Sequence, residues 1–152
     1  MLQGGRVSCW AVATLQVFPL EADSGFGPIL KKTLAAAQTL AGLTRECEQL
    51  ELVVEPDPDI VCFYPLPADG DRRTSSISTI TQRMFTDLMN NSDDPLSLAT
   101  LQVKPVLLAD RGLDWDTDNL IAFRSVLMKP GHLGAVEVLQ QQVVAAIARD
   151  HW

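Results

Sequence analysis

Arg124 is the residue whose type and setting point most directly to chemistry. It lies in Ile121-Ala122-Phe123-Arg124-Ser125-Val126-Leu127-Met128, an apolar run that ends at Lys129-Pro130-Gly131. A run of that kind reads as a buried strand, and an unpaired charge buried there would be very costly, so the guanidinium needs an anion. Its planar fork suits a carboxylate, which it can grip through two parallel hydrogen bonds, better than the point charge of a lysine. Strand alternation puts Arg124 on the face of Ala122 and Val126. The plainer reading pairs it with an acid on a neighbouring helix or carries it to the sheet edge.

The other reactive residue types assemble less. His132 follows Pro130-Gly131 at a helix start; an acid-base role is one reading, and a helix-entry residue is the favoured one, since no nucleophile or second ligand is spaced to join it. His151 stands at the chain end and is read as inert. Asp110, Asp114, Asp116 and Asp118 invite a calcium reading, but Gly112 comes too early and no glutamate closes the loop, so a solvated acidic loop is expected. Gly25-x-Gly27 lacks the third glycine of a dinucleotide fingerprint and follows no strand. Cys9, Cys47 and Cys62 are far apart, with no C-x-x-C pair or Cys/His cluster, so no metal site is expected. Cys62, inside an apolar run, reads as a small core residue.

Bulk properties narrow the function classes. The 152 residues fit one domain, and 47% hydrophobic residues suffice for a core. A net charge of −7 repels phosphate backbones and anionic lipid, so neither nucleic acid nor a membrane is an expected partner. No apolar run approaches the ~20 residues of a membrane-spanning helix. An odd thiol count with no convincing secretion signal points to a reducing cytoplasm.

These residues need a scaffold to position them. Val7 to Phe18 has helical spacing and stops at Pro19. Asp23 or Ser24 can cap a second helix with Pro28 in its first turn and the stripe Phe26, Ile29, Leu30, Leu34, Ala37, Leu40 and Ala41, continuing to about Cys47. Its alanines permit close packing. Leu50 to Val54 and Ile60 to Tyr64 read as strands, with the second apolar on both faces and so central. Ser75 or Ser76 can start a third helix carrying Ile77, Ile80, Met84 and Leu88. Leu98 to Val103 is a strand that Val106 to Ala109 could extend past Pro105, and Asn119 to Met128 is the strand with the arginine. A last helix carries Leu133, Val136, Leu139, Val143 and Ile147. The expected fold class is α+β: a small, mostly antiparallel sheet with helices packed on one face.

Four strings, in order, carry a resemblance. Ser8-Cys9-Trp10-Ala11-Val12-Ala13-Thr14-Leu15-Gln16, then Gly25-Phe26-Gly27 opening a long helix, Pro58-Asp59-Ile60-Val61-Cys62-Phe63, and Phe123-Arg124-Ser125-Val126-Leu127-Met128-Lys129-Pro130 resemble the end of the group II pyridoxal-phosphate-dependent decarboxylases. That family decarboxylates glutamate, diaminobutyrate and aromatic amino acids. The resemblance implies the C-terminal small domain of a fold-type I enzyme. The whole of 1–152 is then one domain, with 1–20 the former interdomain helix and 21–152 the small α+β domain. It also implies that Arg124 faces the active site and pairs with the substrate's carboxylate.

In the family, a lysine after a histidine holds the cofactor through a Schiff base. Lys31, Lys32, Lys104 and Lys129 do not follow a histidine, so no catalytic residue is expected in this chain. The expectation is a decarboxylase-like (lyase) part that is inactive alone and binds no pyridoxal phosphate by itself. Its partner would be a separate large domain or subunit, or a second copy in a dimer. The competing expectation is a non-catalytic interaction or dimerisation module. In either case Trp10, Leu15 and Phe18, on a helix apolar on more than one side, are the interface candidates, and Trp115 and Trp152 are further possible anchors.

Overall fold

The computed structural model describes residues 25–56, 59–90, 96 and 98–149. The expected helix at Val7 to Phe18, with Trp10, Leu15 and Phe18, lies outside the described residues, as do Cys9, His151 and Trp152.

The described chain contains three α-helices and four strands: α1 (Phe26–Glu46), β1 (Leu50–Leu52), β2 (Ile60–Pro65), α2 (Thr74–Met89), β3 (Ala99–Val103), β4 (Leu120–Val126) and α3 (Val136–Arg149). Short 3-10 turns occupy Pro105–Leu107 and Pro130–Gly134. The sheet order is β1-β2-β4-β3, and every neighbouring pair is antiparallel. β2 is central, as its two apolar faces require.

The sheet's two faces have different covers. Val61 and Phe63 of β2 and Phe123 of β4 point toward the helices and join Ala36, Ala37, Leu40 and Ala41 of α1, Met84 and Leu88 of α2, and Val143 and Ile147 of α3 in the main core. Phe63 and Phe123 are register partners with ring centroids 5.5 Å apart and planes tilted by 39°. Ala36, Ala37 and Ala41 are completely buried, because only a methyl group stands between the α1 backbone and its neighbours.

A second cluster gathers Val53, Tyr64, Ile77, Val103, Leu108, Leu120 and Ala122, with Leu113 and half-buried Trp115 packed on it. The strap from Lys104 to Asn119 therefore covers one end of the sheet's other face. Trp115 is spent largely on that cover.

Four local expectations need correction. The N-cap of α1 is Gly25, at φ +60°, a conformation a side chain would strain. Leu30 and Leu34 are exposed rather than part of the buried stripe, which runs through Thr33, Ala36, Ala37, Leu40, Ala41 and Thr44. Val106 to Ala109 does not extend β3: Pro105 has no N–H for a ladder and turns the chain into a 3-10 segment, leaving Val106 80% exposed. Leu133 belongs to the Pro130–Gly134 turn, and α3 begins only at Val136.

α2 starts at Thr74, one residue before Ser75, and its N-cap is Arg73. The cap comes from 41 residues away. Asp116 Oδ1 accepts from the Ser75 N–H at 2.8 Å and from Thr74 Oγ1 at 2.9 Å, and its other oxygen accepts from the Ser75 hydroxyl. Backbone bonds between Asp114 and both Arg72 and Thr74 hold the strap there. The acidic loop thus does structural work at a helix N-terminus, where negative charge is favourable.

The Ser75 bonds hold the Asp116 carboxyl below its ordinary range, and the Arg73 hydrogen bonds do the same for Asp71. A carboxylate with a depressed folded-state pKa binds fewer protons than its unfolded counterpart. Its contribution is full above the unfolded value of about 4 and is lost as pH falls toward the folded value. The urea midpoint is therefore expected to stay flat from pH 7 to about 5 and to fall below about 4. Asp116→Asn should lower the neutral-pH midpoint and shrink that acid loss. An unchanged acid limb in the variant would contradict the assignment.

Candidate functional site on the open sheet face

Among the described residues, the face turned away from the main core is only half covered. The strap's cover reaches Leu120 and Ala122, and no described residue is seen to cover the face beyond them. There the register sets three side chains in a row across the central strands: Cys62 of β2 opposite Arg124 of β4, and Arg124 opposite Ala99 of β3. Ile60 pairs with Val126 one alternation further along, and Leu101 pairs with Ala122 on the strap side. Ile60, Cys62, Ala99, Leu101 and Val126 are half-buried, while Arg124 is exposed.

Arg124 shares a face with Ala122 and Val126, as alternation requires. The expected enclosure is not found. β4 is buried at Ala122, Phe123 and Ser125, but Arg124 is exposed. It makes no hydrogen bond or ion pair to a described residue, and it sits on a central strand rather than at an edge. Among the described residues no helix acid meets it, and β4 is not an edge strand.

Cys62 packs against the second cluster, as a small core residue does, and is not fully enclosed. It is half-buried on the same open face, and burial raises its thiol pKa more than the positive charge of Arg124 lowers it. The chemistry on offer is recognition. One guanidinium stands free on a patch of small and apolar side chains, with no second charged side chain in its row.

A polar clamp holds the strap beside this face. Glu51 of β1 takes Arg72 at 3.4 Å and Arg111 at 3.2 Å, one on each carboxylate oxygen, and Arg72 also donates to the Arg111 carbonyl at 2.7 Å. Sequence reasoning missed this cluster, because Glu51, Arg72 and Arg111 are separated by 21 and 39 residues. Beneath it the hydroxyl of fully buried Tyr64 has no hydrogen bond of acceptable geometry. Burial, and then the Glu51 charge, push its pKa up. A buried donor left unpaired costs ~1–3 kcal/mol, so Tyr64→Phe is expected to stabilise the domain by about 1 kcal/mol in urea titrations. A loss of similar size would show that the hydroxyl is bonded in solution.

His132 is a half-buried residue of the Pro130–Gly134 turn. It borders a cavity of about 270 Å³ between β4 and α3, together with Ser125, Leu127, Val136 and Leu139. Its Nδ1 is buried without a hydrogen-bond partner among the described residues. The turn places it at a helix entry, as the favoured reading expects, and the structure does not bring it to Arg124's face. Among the described residues no three His, Cys, Asp or Glu side chains form a cation-holding group, and no helix is long and apolar enough to cross a membrane.

No family model and no curated protein matches the sequence. Solved structures do match the fold. Oryza sativa TDC with PLP and tryptamine aligns with a TM-score of 0.59 at 13% identity, over 81% of this chain and 23% of that one. Catharanthus roseus tryptophan decarboxylase in complex with L-tryptophan gives 0.59 at 16% identity, over 93% and 25%. The glutamate decarboxylase domain of diaminobutyrate-pyruvate transaminase and L-2,4-diaminobutyrate decarboxylase from Vibrio parahaemolyticus gives 0.56 at 12%, over 91% and 25%.

The fold is shared with a part of each of these decarboxylases.

This chain spans about a quarter of the length of those decarboxylases. Its antiparallel sheet with helices on one face agrees with the small C-terminal domain that the sequence strings imply. A Schiff base to pyridoxal phosphate requires a lysine amine. All four lysines are exposed: Lys31 and Lys32 on α1, and Lys104 and Lys129 beyond the ends of β3 and β4, at opposite ends of the sheet. No amine therefore stands in the Arg124 row to form the Schiff base that the cofactor needs.

Proposed function

We propose that this chain is the small domain of a pyridoxal-phosphate-dependent amino-acid decarboxylase, and that it works only when a lysine-bearing large domain covers its open sheet face. In this reading Arg124 is the group that receives the substrate's carboxylate, and residues 1–20 bridge the two domains. The chain contributes orientation of the substrate and closure of the site. The large domain contributes the cofactor and the lysine that holds it. Alone, the chain is inactive and cytoplasmic.

One observation carries the reading. On a sheet whose fold matches these decarboxylases, an arginine without a partner among the described residues stands on the single face that the helices leave open. A structural arginine would have an acid beside it, or would sit on the solvated side of a helix. Here the guanidinium is ringed by Cys62, Ala99, Leu101 and Val126, a patch whose apolar surface gains from being covered.

The test is complementation. The chain alone, mixed with pyridoxal phosphate, should give no new visible absorbance band and no adduct fixed by borohydride. Joined to or mixed with the lysine-bearing domain, it should support release of carbon dioxide from an amino acid. A borohydride-fixed adduct on one of the four lysines, or a large domain equally active without this chain, would reject the proposal.

A further inference from the structure

We infer that the cavity between β4 and α3 is a binding site for a small neutral ring compound that carries one hydrogen-bonding group. This inference does not rest on the proposed function, and the cavity lies on the opposite side of the sheet from Arg124.

Ser125 forms the floor. Alternation along β4 turns Phe123 and Ser125 toward the helices and Arg124 away from them. The register partner of Ser125 is Val61, a residue of the main core. A serine in that layer is costly unless its hydroxyl is bonded. Ser125 is only 4% exposed, yet its Oγ makes no hydrogen bond to a described residue. It lines the cavity of about 270 Å³ together with Leu127, His132, Val136 and Leu139, and Val138, half exposed, stands at the mouth.

Size, charge and polarity define the ligand. An apolar cavity of ~150 Å³ already holds benzene, so about 270 Å³ has room for a ring with a substituent. No Asp, Glu, Lys or Arg is among the residues that line it. An ionised ligand would therefore bury its charge unpaired, which excludes a zwitterionic amino acid. Leu127, Val136, Val138 and Leu139 offer an apolar wall that gains from being covered. The Ser125 hydroxyl both donates and accepts, so an O–H or N–H on the ring gives it the partner that the described protein does not.

Phenol is the probe, with toluene as its apolar counterpart and benzoate as its charged one. In amide spectra of the full chain, phenol should shift residues 125, 127, 132, 136 and 139 saturably in the millimolar range. It should bind about fivefold more tightly than toluene and at least about tenfold more tightly than benzoate. Ser125→Ala removes a hydroxyl that bonds to no described residue, so the fold should persist. The variant should bring phenol down to the affinity of toluene and leave toluene unchanged. Val138→Trp, at an exposed position, should fill the mouth and weaken both by about tenfold. Absence of a saturable phenol shift at these amides, benzoate binding as tightly as phenol, an unchanged phenol preference in Ser125→Ala, or unchanged binding in Val138→Trp would each overturn the inference.

Discussion

In the proposed assembly with a lysine-bearing domain, Arg124→Ala is expected to lower kcat/KM by about 100-fold or more while leaving the stability of this chain within about 0.5 kcal/mol of the parent. The two halves of that expectation have different causes. Arg124 is exposed and bonds to no described residue, so its removal breaks no hydrogen bond or ion pair among them. In the proposed assembly the large domain excludes water from this face, and the variant removes the guanidinium proposed to grip the substrate's carboxylate. Arg124→Lys should recover part of the activity, because the charge returns without the fork. Steady-state kinetics with a urea titration of each variant checks both halves. A stability loss above 2 kcal/mol in Arg124→Ala would make the residue structural, and unchanged kinetics would remove it from the site.

Phe123→Ala is expected to cost about 3–5 kcal/mol, a large part of the 5–15 kcal/mol that holds a domain of this size. Phe123 neighbours Arg124 but points the other way. It is completely buried, stacks at 5.5 Å on Phe63, and packs in the cluster that joins all three helices to the sheet. Its removal leaves a cavity between β2, β4 and the helices that alanine-rich α1 has no longer side chains to fill. Denaturant unfolding should show the loss in the midpoint, and Phe123→Leu should cost much less. A loss below 1 kcal/mol would mean that the two layers are not packed as described. The adjacent substitutions together separate the faces: one residue acts through stability and its neighbour through catalysis.

Much of this arrangement was legible in the chain because it rests on periodicity. β2 is apolar at every position from Ile60 to Tyr64, and only a central strand has two faces to bury. α2 repeats Ile77, Ile80, Met84 and Leu88 at helical spacing, and all four are buried. Alternation alone put Arg124 on the face of Ala122 and Val126. What stayed hidden depends on which surfaces meet. Leu30 and Leu34 fit the helical stripe as well as Ala37 does, and spacing cannot say where a neighbour's cover ends. An exposed arginine and an enclosed one look alike in an apolar run, because the burial of a strand is decided face by face. The Asp116 cap and the Glu51 clamp join residues brought together only by the closed sheet and the strap, and no local pattern marks such partners.

The thiol of Cys62, directly across from Arg124, allows the open face itself to be tested. The decisive measurement is the alkylation rate of Cys62 at pH 8–9, followed by peptide mass spectrometry, in the chain alone and in the chain joined to or mixed with the lysine-bearing domain. Cover by that domain should slow Cys62 at least about tenfold, while Cys47, at the end of α1 and away from this face, keeps its rate. If an active assembly leaves Cys62 reacting as fast as in the free chain, the large domain does not sit on the Arg124 face, and the account fails.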